Sequence, residues 1–248
     1  MASPVIVALV DADRRRLSRD GLLAWMSALP LVMAAAARAG LPQLVAALGR
    51  RGIDIGPWLP RVQALAFAVV VPLMIGVVVG FMLLEEKQDR VWQALAVTRV
   101  SLRRYLAWRA VTCLGVAVVV TLAGLLVGGP TGLTAAQKVC LALGAAPLAG
   151  MAALALAAWT HNTIEGFAVV KLAFAILVLP VAAPAMGTPW RELLALLPSW
   201  WVLRAAEAMQ AGEGWQLLVI GAMSVNLVLM GAAAATAVRA GAPIGATA

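Results

Sequence analysis

Residues able to carry acid–base, nucleophilic or metal chemistry are sparse in this chain: one histidine, two cysteines and 11 acidic residues among 248. His161 has Glu165 four residues on, a spacing that puts both on one helix face. Two ligands without a third are too few for a metal centre, so the pair reads as part of an interfacial loop. Cys113 and Cys140 have neither redox-motif spacing nor a histidine partner, and read as small buried thiols. No lysine follows a glycine, so there is no phosphate loop, and no G-x-S-x-G elbow occurs. An intramembrane enzyme would have to draw on Thr112, Thr121, Ser224 and Asn226, none with a carboxylate or histidine beside it. Every Asp and Glu falls in a loop or at the end of an apolar run, whereas ion-coupled carriers use one inside the bundle. The sequence therefore predicts no catalytic residue, no metal ligand and no directly bound cofactor.

The elements that would position such residues are apolar runs. Hydrophobic residues make up 63% of the chain, charged ones 12%, and the mean hydropathy is +0.96. Soluble domains carry roughly 25% charge, and one soluble core could not hide this much apolar surface. A membrane span needs about 20 apolar residues, and six stretches qualify: 21–39, 62–84, 105–128, 139–159, 167–186 and 215–238. The fold class expected is all-α, a single polytopic domain over 1–248. Trp25, Trp58, Trp108, Trp159, Trp190 and Trp215 fall near the span ends, where an amphipathic ring prefers the headgroup level.

The net charge of +8 is spread in short clusters between the spans rather than along a phosphate-tracking face, which speaks against nucleic acid as a partner. With the N-terminus inside, 12 of the 19 basic residues fall on the inner side and 7 on the outer. That bias predicts a multi-pass plasma-membrane protein with both termini in the cytoplasm. The first residues read as neither a cleaved signal nor a transit peptide. Prolines 30, 72, 147, 180 and 184 lie inside spans, as hinges or as packing features. Gly76–Gly80 and Gly124–Gly128 have the spacing that lets helices approach closely. No internal repeat is visible, which weighs against an inverted-repeat carrier.

Three stretches depart from the span-and-loop pattern. Residues 11–20, rich in arginine and followed by apolar residues, suit an amphipathic interface helix or a positive-inside anchor. Residues 85–104 link two spans and are longer than a helix–helix turn requires. There Val91, Trp92, Leu95 and Val100 offer an apolar surface among charges, suited to a short helix that docks on a cytosolic partner. Residues 187–214 hold apolar runs too short to span, broken by Pro198, and read as re-entrant or interfacial helices before the sixth span.

Glu86-Lys-Gln-Asp-Arg-Val-Trp-Gln-Ala-Leu95, followed by Thr98-Arg-Val-Ser101 and Tyr105, resembles the E-[KR]-x-x-G-[ST]-x-x-x-L…T-P-x-S…Y stretch of ABC-2 type (type V) transporter permeases. Two departures stand out: Arg90 where that family often has Gly, and Arg99 where it has Pro. Asn162-Thr-Ile-Glu-Gly-Phe-Ala-Val-Val-Lys171 is similar to the family's N-x-x-E-G-x-x-x-x-K before span five, carried by Asn162, Glu165, Gly166 and Lys171. Leu197-Pro-Ser-Trp-Trp201 is similar to its outer L-P-x-x-W element, carried by Leu197, Pro198, Trp200 and Trp201. The resemblance covers essentially the whole chain and looks closest to actinobacterial fluoroquinolone-export-type permeases. Arginine outnumbers lysine 16 to 3, which fits a high-GC bacterium.

The resemblance implies a permease subunit that pairs with a second copy or a paralogous permease. A separate ABC ATPase subunit would use ATP and Mg, and surrounding membrane lipid would complete the set of partners. It further implies that Glu85, Glu86, Arg90, Val91, Trp92, Gln93, Leu95, Thr98, Arg99, Ser101, Arg103 and Arg104 form the coupling segment. The cargo expected is drug-like or lipid-like and amphipathic. The alternative from another class is a membrane scaffold or immunity-type protein on the same fold, without transport.

Overall fold

The computed structural model describes residues 21–95 and 101–240; the expected interface helix at 11–20, together with Thr98, Arg99 and Val100, lies outside them. The described residues are helical with no strand, as a chain in hydrocarbon requires, because a helix satisfies its own backbone groups. Nine helices are distinguished here: α1 (Gly21–Gly49), α2 (Leu59–Gln88), α3 (Val91–Leu95), α4 (Leu102–Val127), α5 (Ala135–Trp159), α6 (Thr163–Val178), α7 (Trp190–Leu193), α8 (Pro198–Ala211) and α9 (Gln216–Ala240). Six segments are long and apolar enough to cross a membrane: Ala28–Gly49, Leu59–Gln88, Leu102–Val127, Ala135–Trp159, Thr163–Ala185 and Gln216–Ala240. They coincide with the six expected spans, with one substantial shift. The first continues ten residues past 39, through Arg38 and Pro42, because Arg38 is exposed and does not end the helix.

Burial sorts the spans into a centre and a lipid-facing ring. The apolar window of α2 is 89% buried and that of α5 is 67%, against 6% for α1 and 17% for α9. In a bilayer the outer apolar faces have lipid as their solvent, so exposed Val119, Leu172 and Val228 are ordinary there. The centre is set by small residues. Any Cβ at Gly76 would run into the backbone of Ala149, and one at Gly80 into Leu156. Close approach of backbones is what drives packing between helices in lipid, where no hydrophobic force separates helix from solvent. Gly124 and Gly128 likewise seat the ring of Phe67, so both glycine pairs pack within the chain. Gly76→Val is expected to destabilise the bundle by about 1–3 kcal/mol through overpacking. Gly231→Ala, where a Cβ meets nothing within 4 Å, should leave stability unchanged. Thermal unfolding of both variants in one detergent checks the pair.

The prolines mark changes of helical pitch. Pro72 opens the α-helical part of α2 directly after a π-helical stretch, Leu65–Val70, which accommodates the missing N–H and the ring. Pro147 restarts α5 after a break at Ala146. Pro180 begins a 3-10 segment, Leu179–Ala185, that carries α6 to its end.

The stretch before the last span holds α7, a 3-10 turn at Leu194–Leu196, and then α8. Pro198 does not merely break apolar runs: it sits in the first turn of a 14-residue helix, where its fixed φ suits the start. Trp201 donates through Nε1 to the carbonyl of Ala195 at 3.0 Å and lies against Gly221 of α9. Leu197, Pro198 and Trp201 thus fold α8 onto the preceding turn, while Trp200 stacks edge-on against Trp201 at 5.2 Å.

Candidate functional site

At the end of the bundle where α2 stops and α4 begins, three polar side chains close a buried ring. The Tyr105 hydroxyl donates to Glu86 Oε2 at 2.6 Å, and Arg109 Nε donates to the Tyr105 oxygen at 2.8 Å. Arg109 Nη2 pairs with Glu86 Oε1 to complete it. Glu86 is 4% exposed and Arg109 5%, so the charges are out of solvent and depend on each other. Helix geometry makes this possible: Tyr105 and Arg109 stand one turn apart on α4, and α2 runs four residues past the apolar run that ends at 84, carrying Glu86 inward. The sequence reading correctly places Glu86 at a span end but expects no ion pair there, and does not single out Arg109 as its partner.

A second group of bonds ties the same end of α2 to the turn between α5 and α6. Lys87 Nζ donates to the carbonyls of Ala157 and Thr160, both at 3.0 Å, and Gln88 Nε2 to that of His161 at 3.0 Å. A cation on the last carbonyls of a helix satisfies groups that have no intrahelical partner. The turn is itself built by an N-cap at Asn162 and a glutamate that reaches back over it. Asn162 Oδ1 accepts from the Glu165 N–H at 2.9 Å, while Glu165 accepts from the His161 N–H and the Asn162 amide, both at 2.8 Å. The N-x-x-E spacing is therefore a helix start. Gly166 follows because a Cβ there would strike the ring of Phe81. Lys171 is exposed on α6, two turns beyond, and takes no part in this turn.

The coupling segment divides sharply by burial. Trp92 is 3% exposed and packs with Leu83, Tyr105, Leu106, Ala157 and Ala237. This corrects the expectation that Trp92 offers apolar surface outward: five residues of helix show no periodicity, so its inward face was not legible. Val91 and Leu95 are half-buried, whereas Arg90, Gln93, Ala94, Ser101, Arg103 and Arg104 are exposed. Glu85 lies one residue from the ring and is half-buried. Ser101 caps α4 by accepting from the Arg104 N–H at 3.3 Å.

Arg90 joins α2 to α3 with φ of 58°, left-handed backbone that costs a side chain about 1–2 kcal/mol. Glycine takes that conformation freely, which gives the departure at position 90 a structural meaning. Arg90→Gly is expected to raise stability by about 1 kcal/mol, read as a higher unfolding midpoint at unchanged helix content.

The opposite end of the bundle has its own network. Arg61 Nη1 pairs with Glu207 Oε1 at 2.6 Å, and Arg61 Nη2 donates to the Pro180 carbonyl at 3.2 Å. This holds α2 to α8 and to the 3-10 segment, and the sequence reading gave Arg61 and Glu207 no such role. Gln63 Nε2 donates to the Gly128 carbonyl at 3.0 Å. Polar side chains within the spans bond to backbone carbonyls: Thr112 to those of Trp108 and Arg109 on its own helix, and Asn226 across to that of Gly144 at 3.3 Å. Among the described residues no three His, Cys, Asp or Glu side chains converge on one point. Cys113 and Cys140 are free, the first buried and the second half-buried.

Six apolar helices with polar ties confined mainly to their ends define a multi-pass helical membrane protein. The family model described as fluoroquinolones export permease protein Rv2686c-like matches residues 13–234. The chain belongs to that family, and is thereby a permease of an export system. Two relatives are 26% identical over 236 residues, covering 93% of this chain and 93% of each. They are the fluoroquinolones export permease proteins MT2760 and Rv2686c, from Mycobacterium tuberculosis strains CDC 1551 / Oshkosh and ATCC 25618 / H37Rv. No solved structure matches the chain.

Proposed function

We propose that this chain is a single ABC-2 type transmembrane domain over residues 1–248, the membrane subunit of an ATP-driven exporter. It pairs with a second permease copy or a paralogue, and with a separate ATPase that consumes ATP and Mg. The observation that carries the reading is the polar construction at the Glu86 end. The Glu86–Tyr105–Arg109 ring and the Lys87 and Gln88 bonds join the link between α2 and α4 to the α5–α6 turn. A push on that link moves α2, α4 and α5 together. In this reading the Glu86 end and both termini face the cytoplasm, in keeping with the 12-to-7 distribution of basic residues. The segment with α7 and α8 is then outer, re-entrant or interfacial.

The ATPase docks on the exposed face formed by Arg90, Gln93 and Ala94, with His161, Asn162 and Glu165 of the turn beside it. Thr98, Arg99, Arg103 and Arg104 extend the contact. Closure of the ATPase pair favours the outward-open arrangement by gripping it more tightly than the inward one. A near-complete shift needs about 5.5 kcal/mol of differential grip, which ATP binding supplies. The cargo is amphipathic, and the relatives' names make fluoroquinolones the first class to try. The test is to co-purify the chain with a candidate P-loop ATPase subunit, reconstitute both in liposomes, and follow a fluorescent fluoroquinolone. ATP-dependent transport that stops with a hydrolysis-deficient ATPase is the expected result. Tight assembly with no transport of any amphipathic cargo, and no cargo-stimulated hydrolysis, would favour a scaffold or immunity-type role and overturn the proposal.

A further inference from the structure

Between the N-terminal part of α4 and the C-terminal part of α9 the bundle leaves a groove of about 660 Å³. Its walls are apolar, with Leu106, Ala110 and Leu114 on α4 facing Met230 and Ala234 on α9. Gly231 leaves one wall open, since a Cβ there would meet no atom within 4 Å. The volume lies within the roughly 300–1,000 Å³ usual for small-molecule sites. The only charged residues lining it are Arg103 and Arg239, both exposed and set at the same end. Among the described residues neither pairs with a carboxylate, unlike Arg61, Arg109 and Arg204, which all do.

Two uncommitted guanidiniums above an apolar slot that opens at a span end match one ligand shape. The slot takes hydrocarbon, and the arginines take a phosphodiester, for which their planar forks are suited. Basic pockets between membrane helices select anionic headgroups for this reason. A zwitterionic headgroup would bring its own cation against Arg103 and Arg239 and gain less. We propose that this groove binds an anionic glycerophospholipid, with the headgroup phosphate on Arg103 and Arg239 and an acyl chain along Gly231 and Ala234. The proposal needs only that the chain spans a bilayer; Arg103 is shared with the proposed ATPase contact, so lipid binding is measured on the chain without the ATPase.

Native mass spectrometry of the full-length chain, released from detergent and titrated with phosphatidylglycerol or phosphatidylcholine of identical acyl chains, tests it. Wild type should retain phosphatidylglycerol at least tenfold more tightly. Replacing each arginine by glutamine should cost about fivefold for phosphatidylglycerol, so Arg103→Gln with Arg239→Gln brings the two lipids close together. The lysine pair, Arg103→Lys with Arg239→Lys, keeps the charge and should recover most of the preference, which separates charge from misfolding. Gly231→Phe fills the slot and should weaken both lipids alike, with helix content unchanged. Equal affinity of wild type for the two lipids overturns the proposal, as does full retention in Gly231→Phe. A wild-type dimer that Gly231→Phe dissociates would mean that a second copy fills the groove, and overturns it too.

Discussion

Glu86→Gln is expected to cost about 3–5 kcal/mol of bundle stability, the usual price of removing one partner from a buried ion pair. The glutamine keeps the shape and can still accept from Tyr105, so the loss comes from Arg109, which remains 5% exposed and loses the Glu86 charge against it. Arg109→Met should cost a similar amount by leaving the Glu86 carboxylate in the same position. Glu86→Leu combined with Arg109→Met removes both charges and should recover most of the loss, because apolar replacement of a whole buried pair is often neutral or better. Thermal unfolding in detergent, followed by helical circular dichroism, measures all three. A single variant as stable as wild type would mean that solvent reaches the ring. A double variant that adds the two losses would mean that each side chain acts through other partners.

Function supplies a second readout for the same series. If the ring transmits motion from α2 to α4, the stable double variant should fold and assemble but lose cargo-stimulated hydrolysis. A ring that only stabilises would leave stimulation intact once stability is recovered. The double variant therefore separates the two roles.

The spans were legible because the rule behind them is nearly one-dimensional: a run of about 20 apolar residues has few other uses. Arg38 misled at the first span, since an exposed arginine leaves the backbone hydrogen bonds of its helix intact and so marks no helix end. The polar ring was harder to see. Its members lie 19 and 23 residues apart in sequence across two helices, and only the i, i+4 spacing of Tyr105 and Arg109 gave a local sign. Motif resemblance marked Glu86 and Tyr105 as residues of interest but not that they touch. It marked Asn162 and Glu165 as well, and there the reason was local and recoverable, a helix N-cap. Arg61 and Glu207, 146 positions apart, had no local signal at all. Charges that pair across a bundle are fixed by tertiary approach, which small residues such as Gly76 permit and which no single window of sequence contains.

Trp92 separates structure from docking in the coupling segment. Trp92→Ala is expected to lower stability by about 3–5 kcal/mol, as for other large aromatic residues cut to alanine in a core. It would loosen the packing around Leu83, Leu106 and Ala157, so any loss of ATPase stimulation in this variant follows from the loosened bundle. Trp92→Phe should cost less, about 1–2 kcal/mol: the indole N–H has no hydrogen-bond partner, and the smaller ring keeps part of the contact while leaving a small cavity. Ala94→Arg makes the opposite test, because Ala94 is exposed on the same short helix and surface changes stay within about 0.5 kcal/mol. That variant should unfold as wild type does, yet lose at least tenfold in ATPase affinity, measured by co-purification against increasing salt. If Ala94→Arg binds the ATPase normally while a folded Trp92→Phe does not, the docking face lies elsewhere, and the partner would have to open the bundle to reach Trp92.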